Sequence, residues 1–194
     1  MASRVGIDLI AGLGNPGTEY RNNRHNAGFW FIDYLADTHQ AQFKAHTKLN
    51  STICSIVLSG RHVKLVKPNV FMNVSGQALA AVIHFYKLDM QRVLVVHDEI
   101  DFGTAKIRIK YGGGHGGHNG LLDIIRHLGE DFWRLRIGVG HPGSKDKVAP
   151  YVLADPKTDE RLAIESYFPK LSNLVEDMAV GEFQKAIEIL HTEV

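Results

Sequence analysis

The sequence predicts a single α/β domain, in which helices flank a twisted, mixed and mostly parallel sheet. Short apolar runs alternate along the chain with segments whose apolar residues recur at helical spacing, an order typical of this class. The length of 194 residues suits one ordinary domain, and a hydrophobic fraction of 44% is enough to fill its core. Because the chain has no internal repeat and no linker, we expect one domain over residues 1–194.

The first half of the chain predicts three strands and two helices. They are a strand over Asp8–Leu13 that stops at a turn cluster over 14–17, a helix over Ala27–Gln40, strands over Ile53–Leu58 and His62–Val66 joined by a hairpin turn at Ser59-Gly60-Arg61, and a helix over Gly76–Tyr86. Pro68 ends the second hairpin strand, since proline has no N–H for the ladder. Ser75 directly precedes the second helix, so we predict that its hydroxyl caps the helix N-terminus.

The second half predicts three further strands and an acidic helical tail. The elements are strands over Arg92–Val96, Ala105–Ile109 and Arg134–Val139, a helix over Leu121–Leu128 closed by Gly129, and two tail helices over about Asp159–Val180 and Glu182–His191. Pro169 should kink or split the first tail helix. Loops rich in glycine, asparagine and histidine follow several strands, and α/β sheets bind their ligands at the carboxyl ends of strands.

The charge of the chain is unevenly distributed. The whole chain has 22 basic and 21 acidic residues, but residues 151–194 hold 4 basic and 9 acidic ones, against 18 and 12 in residues 1–150. The positive body suits an anionic partner such as a nucleic acid, although a solvated face of mixed charge explains the same counts. No apolar run approaches the roughly 18 residues that span a bilayer, and no signal-peptide block is present. We therefore expect a cytoplasmic protein without membrane association.

Several residues match the pattern of a known type of site only in part, so they do not indicate that site. The string over 12–17 spells G-x-G-x-x-G, but a polar loop follows it where a dinucleotide fold needs a helix, so no nucleotide cofactor is expected. Cys54 is the single cysteine, and in an alternating strand it is predicted to be a structural thiol. The histidines at 97, 115 and 118 fit no known zinc spacing, so no metal is expected.

The residues that remain as candidates for chemistry are Asn15, His25, Asn73, Asp98 and Asn119, drawn from separate segments. A neutral imidazole with a carboxylate behind it can take a proton from water near pH 7. Asparagine amides can donate to a carbonyl oxygen as it becomes negative. Taken singly, such residues are more often turn formers or surface groups. Taken together, they are the parts of water-mediated acyl transfer.

A resemblance to a known family rests on five groups of residues. They are 12–17 with Tyr20 and 24–28, then 67–68 with Phe71-Met72-Asn73 and 75–76, then Val96-His97-Asp98-Glu99, then the glycine-histidine string over 112–120, and finally 134–143. On these strings, which span nearly the whole chain, the sequence resembles the bacterial-type peptidyl-tRNA hydrolases. The C-terminal helices resemble that family only loosely.

The resemblance implies an enzyme that cleaves the ester between a nascent peptide and the 3′-terminal ribose of tRNA. It also implies a monomer that needs no metal or other cofactor. His25 would be the general base, Asp98 the carboxylate that holds its basic form, and Asn15 the residue that selects peptidyl over unblocked aminoacyl ends. The positions that would contact the acceptor end are Tyr20, Phe71, Met72, Asn73, His118 and Asn119. Lys110 and Arg136 would clamp the 5′-phosphate.

Two other functions stay open from the sequence. A non-catalytic RNA-binding protein on the same fold is one, because a chloroplast intron-splicing factor resembles this family. An amidase acting on free acyl-peptides is the other, and it would not need Lys110 and Arg136. The joint presence of His25, Asp98 and the two asparagines at 73 and 119 favours the tRNA-directed enzyme.

Overall fold

A mixed sheet forms the centre of the molecule. The structure is a computed structural model, and it describes residues 5–192. The strands in that range are β1 (Leu9–Gly12), β2 (Lys44–His46), β3 (Ser51–Leu58), β4 (Arg61–Pro68), β5 (Val93–Glu99), β6 (Ile107–Tyr111) and β7 (Trp133–Gly138). They lie in the order β2-β3-β4-β1-β5-β7-β6. The four central strands are parallel and the outer pairs are antiparallel, which confirms the predicted fold class.

Helices cover both faces of this sheet. They are α1 (Ala27–Thr38), α2 (Ser75–Tyr86), α3 (Asn119–Leu128), α4 (Val148–Val152), α5 (Thr158–Glu165), α6 (Phe168–Ala179) and α7 (Phe183–His191). On one face Phe31 of α1 and Leu171 of α6 are fully buried, and on the other face Leu79 of α2 packs with Ile124 of α3. Strand β1 is buried along its whole length between the two layers, as its continuous apolar run indicates. Within the described range, no helix is both long and apolar enough to cross a membrane.

Several sequence predictions are confirmed by this arrangement. Strands β3 and β4 form the predicted hairpin, with eight residues paired on each side. The first tail helix is split rather than continuous: α5 ends at Glu165 and Pro169 stands in the first turn of α6, where its missing N–H costs nothing. The outermost residues of the predicted domain, 1–4 and 193–194, lie outside the described residues.

The predicted cap at Ser75 is wrong. Ser75 is the first residue of α2 and is fully buried, and Val74 is the N-cap residue without a side-chain cap. The carboxylate of Asp123 on α3 instead accepts hydrogen bonds from the N–H groups of Gly76 and Gln77, at 2.7 and 3.2 Å. A neighbouring helix therefore satisfies the first turn of α2, which a local sequence rule does not anticipate.

Some element boundaries also differ from those predicted. Strand β6 starts two residues later than expected, because Ala105 has a left-handed φ of 65° and belongs to the preceding turn. Helix α3 starts at Asn119 rather than Leu121, and β5 continues through Glu99. Strand β2 and the short helix α4 were not predicted. The start of α3, the end of β5 and helix α4 matter for function because their residues line a cleft.

Candidate active site

A cleft of about 740 Å³ opens at the carboxyl ends of β1 and β5. The glycine-rich loop before α3, the turn before α2 and the helix α4 form its walls. The sequence-predicted residues that line it are Asn15, Tyr20, His25, Phe71, Met72, Asn73, Asp98, His118 and Asn119. Lys110 and Arg136 are not among its lining residues. The topology thus brings most of the predicted site into one cavity.

His25 is fixed at the cleft by a hydrogen bond to Asp98. It lies in a short 3-10 turn over Arg24–Asn26 that leads into α1, and only 8% of its surface is exposed. Its Nδ1 lies 2.9 Å from Oδ1 and 3.1 Å from Oδ2 of Asp98, which is buried near the end of β5. Because a carboxylate only accepts hydrogen bonds, Nδ1 carries the proton of the neutral ring. Nε2 then keeps a lone pair, and it bonds to no other described residue.

A second imidazole shares the same carboxylate. His118 Nε2 lies 3.0 Å from Asp98 Oδ1, while His118 Nδ1 accepts hydrogen bonds from the N–H groups of Gly120 and Leu121. These two backbone donors leave the ring proton on Nε2, so His118 donates to Asp98. His118 is also the N-cap of α3, and its ring lies 4.9 Å from that of His25. One buried carboxylate therefore orients two histidines.

The charges of this cluster shift its proton affinities. Burial lowers the pKa of His25, but the charge of Asp98 and its hydrogen bond outweigh that effect and raise the pKa above its usual value. Burial by itself would raise the pKa of Asp98, yet the two histidines hold this pKa well below its usual range. Asp98 is therefore ionised at neutral pH, and it stabilises a charged His25.

His97 lies behind the cluster as a neutral ring. Its Nδ1 donates to the backbone carbonyl of Asp98 at 2.7 Å, and its ring packs edge-on against that of His118 at 5.0 Å. Burial, followed by repulsion from His118, lowers the pKa of His97 to about 3. A ring with that pKa does not exchange protons near neutral pH. His97 supports the cleft from within the core.

Three of the four polar groups of Asn15 form hydrogen bonds within the protein, and the fourth, the side-chain Nδ2, does not. Its backbone N–H donates to Asn26 Oδ1, and Asn26 Nδ2 donates back to the Asn15 carbonyl, at 2.9 and 3.0 Å. Its side-chain Oδ1 accepts the N–H of Met72 at 2.7 Å. The side-chain Nδ2 donates to no other residue within 5–192. Asn15 therefore presents a rigidly held N–H donor, only 6% exposed, to the cleft.

Aromatic and amide groups form the outer part of the cleft. The rings of Tyr20 and Phe71 meet edge-to-face at 6.0 Å, and Phe71 is 55% exposed. Met72 is buried below them. Asn73 and Asn119 are exposed at the start of α2 and of α3, so their amides are accessible to a ligand. Exposed rings beside amides suit unpaired bases, which stack and hydrogen-bond at the same time.

Lys110 and Arg136 lie outside the cleft on the adjacent strands β6 and β7. The register pairs Lys110 with Arg134 and Arg108 with Arg136, so all four basic residues project from one face of the sheet. Arg136 is held by Glu99, a residue of the cleft wall, with Nη2 to Oε2 at 2.9 Å. Lys110 forms no ion pair with a described residue. We call these four residues the basic face.

The cluster in the cleft also has the outline of a metal site. The ligand atoms of His25, Asp98 and His118 all lie within 4.8 Å of one another. A metal would need an unprotonated Nε2 on His118, yet the Nδ1 of that ring already accepts two backbone N–H groups and has no room for the displaced proton. The donor set therefore fits hydrogen bonds better than a metal. The expected absence of a metal stays a prediction.

Two supporting contacts were not anticipated from the sequence. Arg24, buried beside His25, donates to the carbonyls of Tyr151, Ala154 and Asp155, and its guanidinium lies 4.1 Å from the Tyr151 ring. These contacts fasten α4, a wall of the cleft, to the turn that carries His25. Asn26 braces Asn15 in the same way. The string Arg24-His25-Asn26 was noted in the sequence, but no pattern in it identifies these partners.

The chain is similar in sequence and in fold to known proteins over nearly its whole length. A family model described as peptidyl-tRNA hydrolase matches residues 9–194. The chain belongs to the peptidyl-tRNA hydrolase family. Peptidyl-tRNA hydrolases of Ruthia magnifica and Coxiella burnetii are 48% and 47% identical to it over 188 residues, which cover 96% of this chain and 98% of each relative. The crystal structure of peptidyl-tRNA hydrolase from Acinetobacter baumannii matches with a TM-score of 0.93 at 40% identity, over 99% of this chain and 97% of that one.

Membership of the peptidyl-tRNA hydrolase family confirms the resemblance drawn from the sequence strings. The similarity extends over the whole fold, because these relatives and this chain match over nearly their full lengths. The roles of individual side chains stay predictions.

Proposed function

We propose that the protein hydrolyses the ester between the C-terminus of a peptide and the 3′-terminal ribose of tRNA, releasing free tRNA. The observation that carries this proposal is the hydrogen bond from His25 Nδ1 to Asp98, which leaves His25 Nε2 unpaired in the same cleft as the free amide of Asn15. A base and an oxyanion donor in one cleft are what ester hydrolysis by water requires.

His25 acts as the general base in this proposal. Nε2 takes a proton from a water molecule as the water oxygen attacks the ester carbonyl. The resulting imidazolium is stabilised by the ionised Asp98, which does not itself need to take the proton. The imidazolium then gives the proton to the ribose oxygen as the ester bond breaks. The products are a peptide with a free carboxyl group and tRNA with its hydroxyl restored, and His25 returns to its neutral form.

Amide groups stabilise the negative oxygen of the intermediate. Asn15 Nδ2 is held rigidly because its other polar groups are bound, and such preorganised donors lose no energy to reorientation during the reaction. Asn73 and Asn119 offer further amides at the mouth of the cleft. An ester needs no covalent intermediate for this chemistry, and the cleft contains no serine or cysteine among its lining residues.

The tRNA would be recognised mainly by its acceptor end. Tyr20 and Phe71 offer aromatic surface to the terminal bases, with Met72, Asn73, His118 and Asn119 close by. Lys110 and Arg136 on the basic face would contact the 5′-phosphate. Phosphate contacts carry no sequence information, which suits an enzyme that accepts many tRNAs. We propose that the enzyme acts as a cytoplasmic monomer without a cofactor.

Hydrolysis of N-acetyl-aminoacyl-tRNA by the purified chain tests this function. The wild type should release the acylated amino acid, and His25→Ala should be slower by at least about 10²-fold while its affinity for uncharged tRNA is nearly unchanged. His62→Ala, at an exposed histidine of the β3–β4 hairpin, is the matched control and should keep the wild-type rate.

The same assay separates the alternatives. Tight tRNA binding without hydrolysis by the wild type would favour the RNA-binding protein. Equal hydrolysis of peptidyl-tRNA and of a short acyl-peptide would favour the amidase. The names of the relatives favour hydrolysis of peptidyl-tRNA over both.

A further inference from the structure

The segment that follows β5 contacts Arg136 of the basic face through two different side chains. Glu99, the last residue of β5, accepts a hydrogen bond from Arg136 Nε on its Oε2 at 3.0 Å, and the same oxygen lies 2.9 Å from Arg136 Nη2. The other oxygen of Glu99 accepts the N–H of Asp101 at 3.0 Å. The guanidinium carbon of Arg136 lies 4.4 Å from the centroid of the Phe102 ring. One short segment therefore supplies both a carboxylate and an aromatic ring to the same arginine.

Backbone contacts fix the position of the Phe102 ring. The carbonyl of Phe102 accepts the N–H of Gly140 at 3.0 Å. Gly138 lies two residues after Arg136 on β7, so both residues face the same side of the sheet. A Cβ at Gly138 would come within 2.9 Å of the Cβ of Phe102, so only glycine lets the turn pack this closely on β7. The ring is therefore held beside Arg136 by the turn that carries it.

These contacts leave part of the guanidinium available to a ligand. Arg136 Nη1 donates to no other residue within the described range 5–192, and 23% of the side chain is exposed. A guanidinium is a strong donor to phosphate oxygens. Because the carboxylate and the ring restrict its rotamers in advance, Arg136 loses less conformational entropy when an anion binds. The two contacts thus prepare Arg136 for a phosphate group.

We propose that Phe102 is a positioning residue, which holds Arg136 in place for the 5′-phosphate of tRNA. This inference rests on the proposed function and on the phosphate contact that it gives to Arg136. Phe102 lies between the strings over 96–99 and 112–120 that carry the family resemblance, so the resemblance gives it no role.

A second cation lies near the same ring. The Nζ of Lys106 is 5.6 Å from the centroid of Phe102, compared with 4.4 Å for the guanidinium of Arg136. Cation–aromatic attraction weakens with distance, and contacts count only within about 6 Å. The ring therefore acts mainly on Arg136, and a variant that lacks Arg136 separates the two cations.

Two substrates that differ only in the 5′-phosphate test the proposal. One is N-acetyl-aminoacyl-tRNA with this phosphate, and the other is the same molecule after treatment with a phosphatase. Phe102→Leu keeps apolar bulk at the turn but removes the ring. It should lower the ratio of kcat/KM for the phosphorylated substrate to that for the dephosphorylated one by about twofold to fivefold, as expected for loss of a partly exposed cation–aromatic contact. Its kcat/KM on the dephosphorylated substrate should equal that of the wild type, and Phe102→Tyr, which retains the ring, should keep the wild-type ratio.

Phe85→Leu is the matched control. Phe85 lies near the end of α2, is 61% exposed, and meets the ring of Tyr86 edge-on at 4.9 Å. The ratio should be unchanged in this variant. In the Arg136→Ala background, Phe102→Leu should lower the ratio no further, because the group that the ring positions is gone. A ratio that falls in Phe102→Leu only when Arg136 is present supports the proposal.

The remaining outcomes overturn the proposal in distinguishable ways. Equal losses on both substrates would assign Phe102 to the folding of the protein, and unchanged rates on both would exclude it from phosphate recognition. A further fall of the ratio in the Arg136→Ala background would assign the effect to Lys106. In these cases the proposed function would stand, since the wild type would still hydrolyse both substrates and prefer the phosphorylated one. A wild type without that preference would overturn the phosphate contact of Arg136 and this inference with it, and a wild type that hydrolyses neither substrate would overturn the proposed function itself.

Discussion

His25 and His118 donate to the same oxygen of Asp98, at 2.9 and 3.0 Å. The carboxylate is buried and ionised, so it can hold both rings in the tautomers that the cleft requires. His25 keeps its free nitrogen for the substrate, whereas His118 uses its other nitrogen to cap α3. The two rings thus share a partner but differ in role, and the first two predictions separate those roles.

Asp98→Asn should move the acidic limb of the pH–rate profile to lower pH. Burial lowers the pKa of His25 and the Asp98 charge raises it, so removal of the charge leaves burial dominant and the pKa falls. The active base is the neutral ring, which forms as the pH rises through this pKa, so half-maximal kcat/KM should occur at a lower pH. The plateau should fall by at least about tenfold, because a neutral amide stabilises the imidazolium less. An unmoved profile would contradict the role of Asp98.

His118→Ala and His118→Asn should differ in stability but agree in activity. Alanine removes the cap of α3 and should lower the free energy of unfolding by about 0.5–2 kcal/mol, whereas asparagine is itself a good cap. Both variants lose the hydrogen bond to Asp98, so both should lose a similar part of kcat. Urea unfolding and kcat measured on the same samples check this. Full activity in His118→Asn would show that the bond to Asp98 has no part in the reaction.

Exhaustive chelation should leave the rate unchanged. The cluster of His25, Asp98 and His118 is compact enough for a metal, but the cap on His118 Nδ1 leaves that ring no second place for its proton. The measurement is kcat/KM before and after removal of divalent ions, in a buffer that contains only monovalent salt. Loss of activity that stoichiometric zinc restores would show that the rings can rearrange around a metal.

The sequence predicted the members of the site better than their contacts. His25 and Asp98 were expected together because polar residues at the carboxyl ends of neighbouring strands share one edge of the sheet. The cap of α3 was missed, since capping rules name serine, threonine, aspartate and asparagine, and the same rules suggested Ser75 wrongly. The bond from Met72 N–H to Asn15 is between distant backbone and side chain, and residue type does not specify such a pair.

The helix α4 was missed for a related reason. It has only five residues, and Pro150 lowers its intrinsic helix propensity. What holds it is tertiary: Arg24 binds the carbonyl of Tyr151, and the Tyr151 hydroxyl donates to the carbonyl of Val139. A short element fixed by distant partners leaves no periodic signal in its own sequence.

Lys110→Ala and Arg136→Ala should weaken binding of tRNA that carries a 5′-phosphate. Each should reduce the salt dependence of log K by about 0.9 per lost phosphate contact. The loss should be larger for Arg136→Ala, because it also leaves Glu99 as an unpaired anion beside the cleft. The control variant Arg136→Ala with Glu99→Gln should recover that extra loss. Substrate without the 5′-phosphate should bind the wild type, Lys110→Ala and the Arg136→Ala/Glu99→Gln double variant about equally, and equal losses on both substrates in these two variants would contradict a phosphate clamp.

Asn15→Asp should remove most of the preference for blocked over free aminoacyl ends. One carboxylate oxygen can still accept the Met72 N–H, so the loop should keep its shape while the free N–H donor becomes a negative oxygen. Asn15 Nδ2 has two hydrogens, so one can serve the oxyanion and the other the amide carbonyl of a blocked substrate, whereas a free α-nitrogen is a cation that the new charge attracts. Loss of the oxyanion donor slows both substrates alike, so the ratio of their kcat/KM values reports the selection. A missed buried hydrogen bond costs about 1–3 kcal/mol, which corresponds to roughly tenfold to a hundredfold in selectivity. The measurement is kcat/KM on N-acetylated and free aminoacyl-tRNA side by side.

Gln91→Glu makes the same amide-to-carboxylate change at an exposed position before the amino end of β5, and it should leave the preference intact. Unchanged discrimination in Asn15→Asp would assign the selection to another donor, with Asn73 and Asn119 as the next residues to substitute.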